Sequence, residues 1–462
     1  MALQQHQLHF VLLPLMAQGH LIPMIDMARL FAERGVIVTV ITTPLNALRF
    51  KTIIDRAVES GLPIRLLQLR LPSVEAGLPE GCENVDCLPS REMMTNFFTA
   101  TAMLQEPLEQ LLGELQPVPS CIISAMAFPW AAETARKFQI PRLVFHGTCC
   151  FSLLCCHNIL QYKVAESITS ESEAFVVPGL PDRIEITKSM LPGNLPQSSG
   201  DLKNIRDQVN EAELTAYGVV VNSFEELEPK YVEEYLKAKS GKVWCIGPVS
   251  QCNKEILDKA ERGKKASIDE KQCLNWLDAK EPASVVYVCL GSLCRLTNSE
   301  MIELGLGLEA SGHPFVWVIR GGERYPEVEK WLADEEFEER TKDRGLVIKG
   351  WAPQSNSSMR NWLHKFWELE SAGLDDVPGS KLEGGENIGR VEKAVNRVMD
   401  GGDVGEETRR RVRELGERAR KAMEEGGSSY FNMTLFIQDI MQHQASKELP
   451  IYVTTTKDEI FF

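Results

Sequence analysis

Residues 9–15 read HFVLLPL, and this nearly unbroken apolar run limits the fold more than any other stretch. A strand with one wet face alternates apolar and polar residues. A strand apolar throughout belongs to a parallel sheet covered on both faces. The next residues complete the unit: a loop at 16–20 (MAQGH), apolar residues at helical spacing over 21–34, Gly35 to close the helix, and a second strand at 36–42 (VIVTVIT). Strand, helix and strand in this rhythm predict a doubly wound α/β sheet.

The rhythm recurs along the chain. Strands are expected at 121–124 (CIIS), 143–145 (LVF), 219–221 (VVV) and 243–248 (VWCIGP), with a helix at 131–138. Residues 50–120 carry helical and loop patterns, and the Pro- and Gly-containing acidic stretch 71–89 reads as a surface loop. Residues 252–272 are polar and charged, which marks an interdomain linker. The second half restarts with strands at 284–290, 315–319 and 346–349. Its first helix opens on Thr297-Asn298-Ser299-Glu300, a capping-box pattern, and ends at Gly312. A long charged helix at 406–425 is broken by GGSS at 426–429. The amphipathic stretch 430–441 comes next, with Leu435, Phe436, Ile437 and Ile440 able to dock on a domain.

Charge and cysteine usage exclude several classes. A net charge of -15 argues against nucleic acid or an anionic membrane as partner, because either needs a basic footprint. The 12 cysteines form no CxxC pair and stand beside no zinc-type histidine spacing, so reduced thiols and no metal site are expected. The amino terminus lacks a basic region before its apolar run and reads as a first strand rather than a secretory signal. No stretch reaches transmembrane length, and a cytoplasmic location is the resulting expectation.

Two positions carry candidate chemistry. His20 lies just beyond the first strand at a loop-to-helix junction, where a side chain can face a cleft. It is the best-placed general base in the chain, although a lone histidine there is also an ordinary helix-capping or surface residue. The second position is Gly350-Trp351-Ala352-Pro353-Gln354, after the run Leu346-Val347-Ile348. It puts an indole at the carboxyl end of a strand, where open α/β sheets bind ligands. Pro353 disfavours a helical Ala352, so the Ala352 backbone can read a flat polar ring while Trp351 stacks on it. A buried Trp before a plain turn is the other reading of those five residues.

Taken together, QGHLIPM, FHGTCCFSLL, NSFEELE, YVCLGSLCRLT and GWAPQ resemble the plant small-molecule UDP-glycosyltransferases, over about residues 5–354 and again over about 391–442. The resemblance implies a GT-B fold, two Rossmann-like domains facing across a cleft. The acceptor-binding domain would span 1–249, a linker 250–272 and the sugar-nucleotide-binding domain 273–427. A helix at 428–446 would pack back on the first domain, and 447–462 is left unassigned. The implied reaction is an inverting, metal-free transfer from a UDP-sugar, UDP-glucose being the expected donor, to a hydroxyl of a lipophilic plant metabolite or hormone. A monomer is expected.

By the same resemblance, His20 matches the catalytic base. Trp351 would stack on uracil, Ala352 would bond the uracil edge through its backbone, Gln354 would lie near the ribose and Ser292 near the phosphates. His364 and Glu370 match phosphate and ribose contacts, and Thr148 would face the sugar or acceptor. Two departures stand out. The family pairs its histidine with an aspartate where this chain has Ala125. After GWAPQ the family continues HCGWNSxLE, SAGVP and an acidic residue before Gln, of which only fragments align here, so an incomplete carboxyl-terminal domain is expected. These departures motivate an alternative, a catalytically impaired relative that binds hydrophobic small molecules. An NAD-dependent oxidoreductase lacks its GxGxxG fingerprint after the first strand.

Overall fold

The computed structural model describes residues 7–164, 168, 170, 172–191, 200–253, 268–290, 296–320, 325–352, 386–399 and 401–448. Ser292, Gln354, His364, Glu370, most of the altered box and the tail from 449 lie outside the described residues.

The first sheet grows from the apolar runs. Its strands are β1 (His9–Leu13), β2 (Ile37–Thr42), β3 (Ile64–Gln68), β4 (Cys121–Ala125) and β5 (Arg142–His146). After a small antiparallel hairpin, β6 (Ala174–Val176) with β7 (Glu185–Thr187), it is completed by β8 (Gly218–Val221) and β9 (Val243–Cys245). The order is β3-β2-β1-β4-β5-β8-β9, and every pairing is parallel. Every residue of β1, β2, β4 and β5 is buried, as two helix-covered faces require. From β1 the chain winds one way to β3, then returns to β4 and winds the other way. The carboxyl ends of β1 and β4 therefore flank the topological switch point, where such sheets open a crevice.

Three expectations from the sequence need correction. The stretch 50–120 contains β3, an edge strand whose intermediate exposure hides its period. The "surface" loop 71–89 is anchored: Leu71, Leu78, Cys82 and Val85 are buried, and Asn84 Nδ2 donates to Asn46 Oδ1 at 2.8 Å. The linker is structured at both ends. Val249–Cys252 forms a 3-10 turn against the first helix (Gln18–Ala32), Asn253 Nδ2 donates to Asp26 Oδ1 at 2.9 Å, and the helix Glu270–Asp278 begins inside the expected span.

The second sheet has the order β10 (Val286–Cys289), β11 (Phe315–Ile319), β12 (Gly345–Lys349), all parallel, among the described residues. Its helix Asn298–Ala310 carries the expected capping box: Glu300 N donates to Thr297 Oγ1 at 3.2 Å and Thr297 N to Glu300 Oε2 at 2.7 Å.

The helix Ser428–Glu448 returns to the first sheet and runs two residues past the expected 446. Phe436 and Ile440 are fully buried as expected, joined by Met433, whereas Leu435 is 37% exposed and does not dock. Phe436 sits among Phe10, Phe31 and Trp244, with ring centroids at 5.4, 5.4 and 5.1 Å. Phe436→Ala is expected to cost about 3–5 kcal/mol, read as a lower midpoint of the first unfolding transition in guanidinium.

The NSFEELE segment acts as a joint. Both oxygens of the buried Glu228 accept 2.7 Å hydrogen bonds, from Cys150 N and Phe151 N, and so cap the helix Cys150–Gln161 from a distance in sequence. Asn222 Oδ1 accepts from Val249 N at 3.0 Å, while Glu226 and Glu225 hold Ser428 and Asn432 of the returning helix at 2.8 Å each.

Candidate active site

Chemistry-bearing side chains gather at the carboxyl end of the first sheet. His20 falls in the first turn of the helix Gln18–Ala32 rather than before it, its N–H donating to Ala17 O at 2.9 Å. The ring is half-buried, and Nδ1 is buried with no hydrogen-bond partner among the described residues. Burial, assisted by the neighbouring His146, pulls its pKa down to about 4. At ordinary pH the imidazole is neutral. With Nδ1 turned inward, Nε2 is the nitrogen that can meet a substrate.

The segments that follow β1 and β5 approach each other. A Cβ added to Gly147 would stand 3.5 Å from Gly19 O, an ordinary contact, and β4 lies between the two strands in the sheet. Ala125, the last residue of β4, has no exposed surface. A methyl group cannot accept a proton from an imidazole. Gln18, only 3% exposed, leaves both its amide atoms unbonded in the same turn, and Thr42 Oγ1 at the end of β2 is likewise unbonded among the described residues. Thr148, beyond β5, is exposed.

A buried polar network that the sequence reading missed supports β5. Arg142 donates through Nε to Ser124 Oγ at 3.0 Å and through Nη1 to Ala212 O at 2.9 Å, and burial brings its pKa down to about 10. His146 Nε2 stands 3.5 Å from Glu213 Oε1, and Lys239 Nζ is closer to the same oxygen at 3.0 Å. Burial opposes ionisation of Glu213, but His146 and Lys239 outweigh it and hold the carboxyl down at about 2. The signal was present in sequence as an arginine at the head of an apolar strand, a placement that demands partners.

In the second half, β12 ends at Gly350, whose N–H donates to Ile319 O at 2.7 Å and whose φ is +123°, a conformation that favours glycine. Trp351 follows, half-buried, with the Arg320 guanidinium carbon 4.4 Å from its ring centroid. Ala352 is fully buried against Val316, Val318 and Ile348. A separate groove of about 1050 Å³ lies among the helices Met94–Ala102, Trp130–Lys137 and Gly200–Leu214, with Phe98, Trp130, Ile205 and Tyr217 on its walls. His20 does not line it.

Residues 6–251 match the family described as "Glycosyltransferase, N-terminal domain". UDP-glycosyltransferase 73C3 of Arabidopsis thaliana is 49% identical over 479 residues, covering 94% of this chain and 96% of its own length. The chain belongs to the plant UDP-glycosyltransferase family. UDP-glycosyltransferase 73C12 of Barbarea vulgaris is 48% identical, covering 95% of this chain and 97% of the relative.

Solved members of this UDP-glycosyltransferase family share the fold. Glycyrrhiza uralensis UGT73P12, solved with glycyrrhetinic acid 3-O-monoglucuronide, superposes with a TM-score of 0.81 at 32% identity, covering 96% of this chain and 97% of that one. Arabidopsis thaliana UGT89C1, solved with UDP-L-rhamnose, gives 0.67 at 25% identity, with 94% and 99% covered. The architecture is GT-B, with two parallel α/β sheets as the sequence implied. The family uses a UDP-sugar as co-substrate and transfers its sugar to small molecules. Among the described residues no helix is long and apolar enough to cross a membrane.

Proposed function

We propose that this glycosyltransferase moves a hexose, glucose in the first instance, from a UDP-sugar to a hydroxyl of a lipophilic plant metabolite or hormone with inversion. His20 Nε2 takes the proton from the acceptor hydroxyl. The acceptor oxygen attacks the anomeric carbon, the bond from that carbon to the diphosphate oxygen breaks, and UDP leaves with the electron pair. Trp351 supplies the stacking surface for uracil and Ala352 its backbone edge. Ser292, Gln354, His364 and Glu370 are assigned to the phosphates and ribose, and Thr148 to the sugar or acceptor. The chain is proposed to act as a monomer in the cytoplasm.

The observation that carries the reading is the half-buried imidazole, held neutral by burial, at the switch point of the acceptor-side sheet. A base must be unprotonated to work, so a pKa near 4 predicts kcat/KM that is level from pH 9 to pH 5 and half-maximal near pH 4. Initial rates of glycoside formation from UDP-glucose across a panel of aglycones test this. An acidic limb centred near 6.5 would contradict it.

Ala125 and the unbonded Nδ1 favour a second reading, an impaired relative that binds acceptors without efficient transfer. Calorimetry with UDP separates the two. Saturable UDP binding supports the transferase, and its absence supports the impaired relative.

A further inference from the structure

Arg320 has no part in the proposed reaction, yet the fold brings it onto Trp351. The strands β11 and β12 run parallel in the register Ile319 to Lys349, and the hydrogen bond from Gly350 N to Ile319 O carries that pairing one residue further. Arg320 and Trp351 therefore leave adjacent strand ends together. The guanidinium lies over the indole at 4.4 Å, and its Nε is buried without a hydrogen-bond partner among the described residues. A planar cation over an indole is attracted by the ring's electron-rich face, and arginine does this better than lysine because its plane can stack.

We propose that Arg320 is a positioning residue for the nucleotide: it fixes the plane of the indole on which the uracil stacks. This rests on the reading of Trp351 as the nucleobase platform. The guanidinium would thus act through the ring and not through the phosphates, which distinguishes it from an arginine that grips a diphosphate as a charge.

The test compares uridine with UDP by calorimetry for the wild type, Arg320→Ala, Arg320→Lys and Trp351→Ala. Arg320→Ala is expected to weaken uridine and UDP by the same factor, about two- to fivefold, with Arg320→Lys in between. Trp351→Ala is expected to weaken both by about tenfold or more. Calorimetry fits the number of competent sites separately from Kd, so partial unfolding of a variant lowers the stoichiometry and is not read as weaker affinity. A loss confined to UDP would overturn the proposal by placing Arg320 at the phosphates. Unchanged binding in Arg320→Ala, with binding lost in Trp351→Ala, would overturn it and leave the platform intact. Trp351→Ala that binds like the wild type would overturn the platform reading itself and the proposal with it.

Discussion

Replacing His20 by alanine is expected to lower kcat/KM for glycoside formation by roughly 10²–10⁴, the range that a positioned general base contributes. The Kd for UDP should stay unchanged, because the histidine lies in the helix that follows β1 of the first sheet, whereas the assigned uracil platform follows β12 of the second. His20→Gln, which retains hydrogen-bonding capacity without basicity, should lose nearly as much. Comparing the two variants separates proton removal from simple placement of the acceptor. Calorimetry with UDP alongside initial rates is the check: a variant that loses rate and nucleotide affinity in parallel would move His20 from catalysis to donor binding.

Ala125→Asp is the second large effect, and it is a gain. For Nε2 to accept a proton, the neutral ring must carry its hydrogen on Nδ1, and in this protein that nitrogen is buried without an acceptor among the described residues. An unmet buried N–H costs about 1–3 kcal/mol. The ring therefore prefers the tautomer with its hydrogen on Nε2, which cannot act as the base. By the histidine–aspartate pairing that the family resemblance implies, a carboxylate at position 125 would accept the Nδ1 hydrogen and stabilise the imidazolium that forms, and an increase in kcat/KM on the order of 10² or more is expected by analogy with orienting carboxylates. The same charge raises the pKa of His20, so the acidic limb of the pH profile should move up from about 4. Ala125→Asn can accept the hydrogen but adds no charge. It should recover part of the rate without moving the limb, and the Asp and Asn pair thus resolves tautomer control from charge stabilisation.

Much of the scaffold was legible because it rests on local physics. The apolar runs at β1 and β2 announce strands buried on both faces, and Thr297 with Glu300 announces a helix start in side-chain chemistry alone. β3 escaped because an edge strand is only partly buried and its pattern, one buried position and then mixed exposure, has no clean period. The anchoring of loop 71–89 escaped for a different reason. The bond between Asn84 and Asn46 joins residues far apart in the chain, and such polar pairings leave no periodic trace.

The candidate site was half legible. That His20 and Trp351 follow strand ends was legible, because strand ends in this architecture face the ligand crevice. The network of Arg142, Ser124, Glu213 and Lys239 was not, since its members come from separate elements that only the folded sheet assembles. Glu228 shows the reverse case. It belongs to a segment recognisable on sight, but its work is capping a helix that begins at Cys150, which spacing alone does not reveal.

One assay decides whether His20 carries the chemistry: wild type, His20→Ala and Ala125→Asp incubated at pH 8 with UDP-glucose and the same aglycone panel, with glycoside measured by mass spectrometry. The predicted order of product formation is His20→Ala lowest, wild type intermediate and Ala125→Asp highest. Equal rates in wild type and His20→Ala, or no glycoside from any of the three folded proteins, would contradict it.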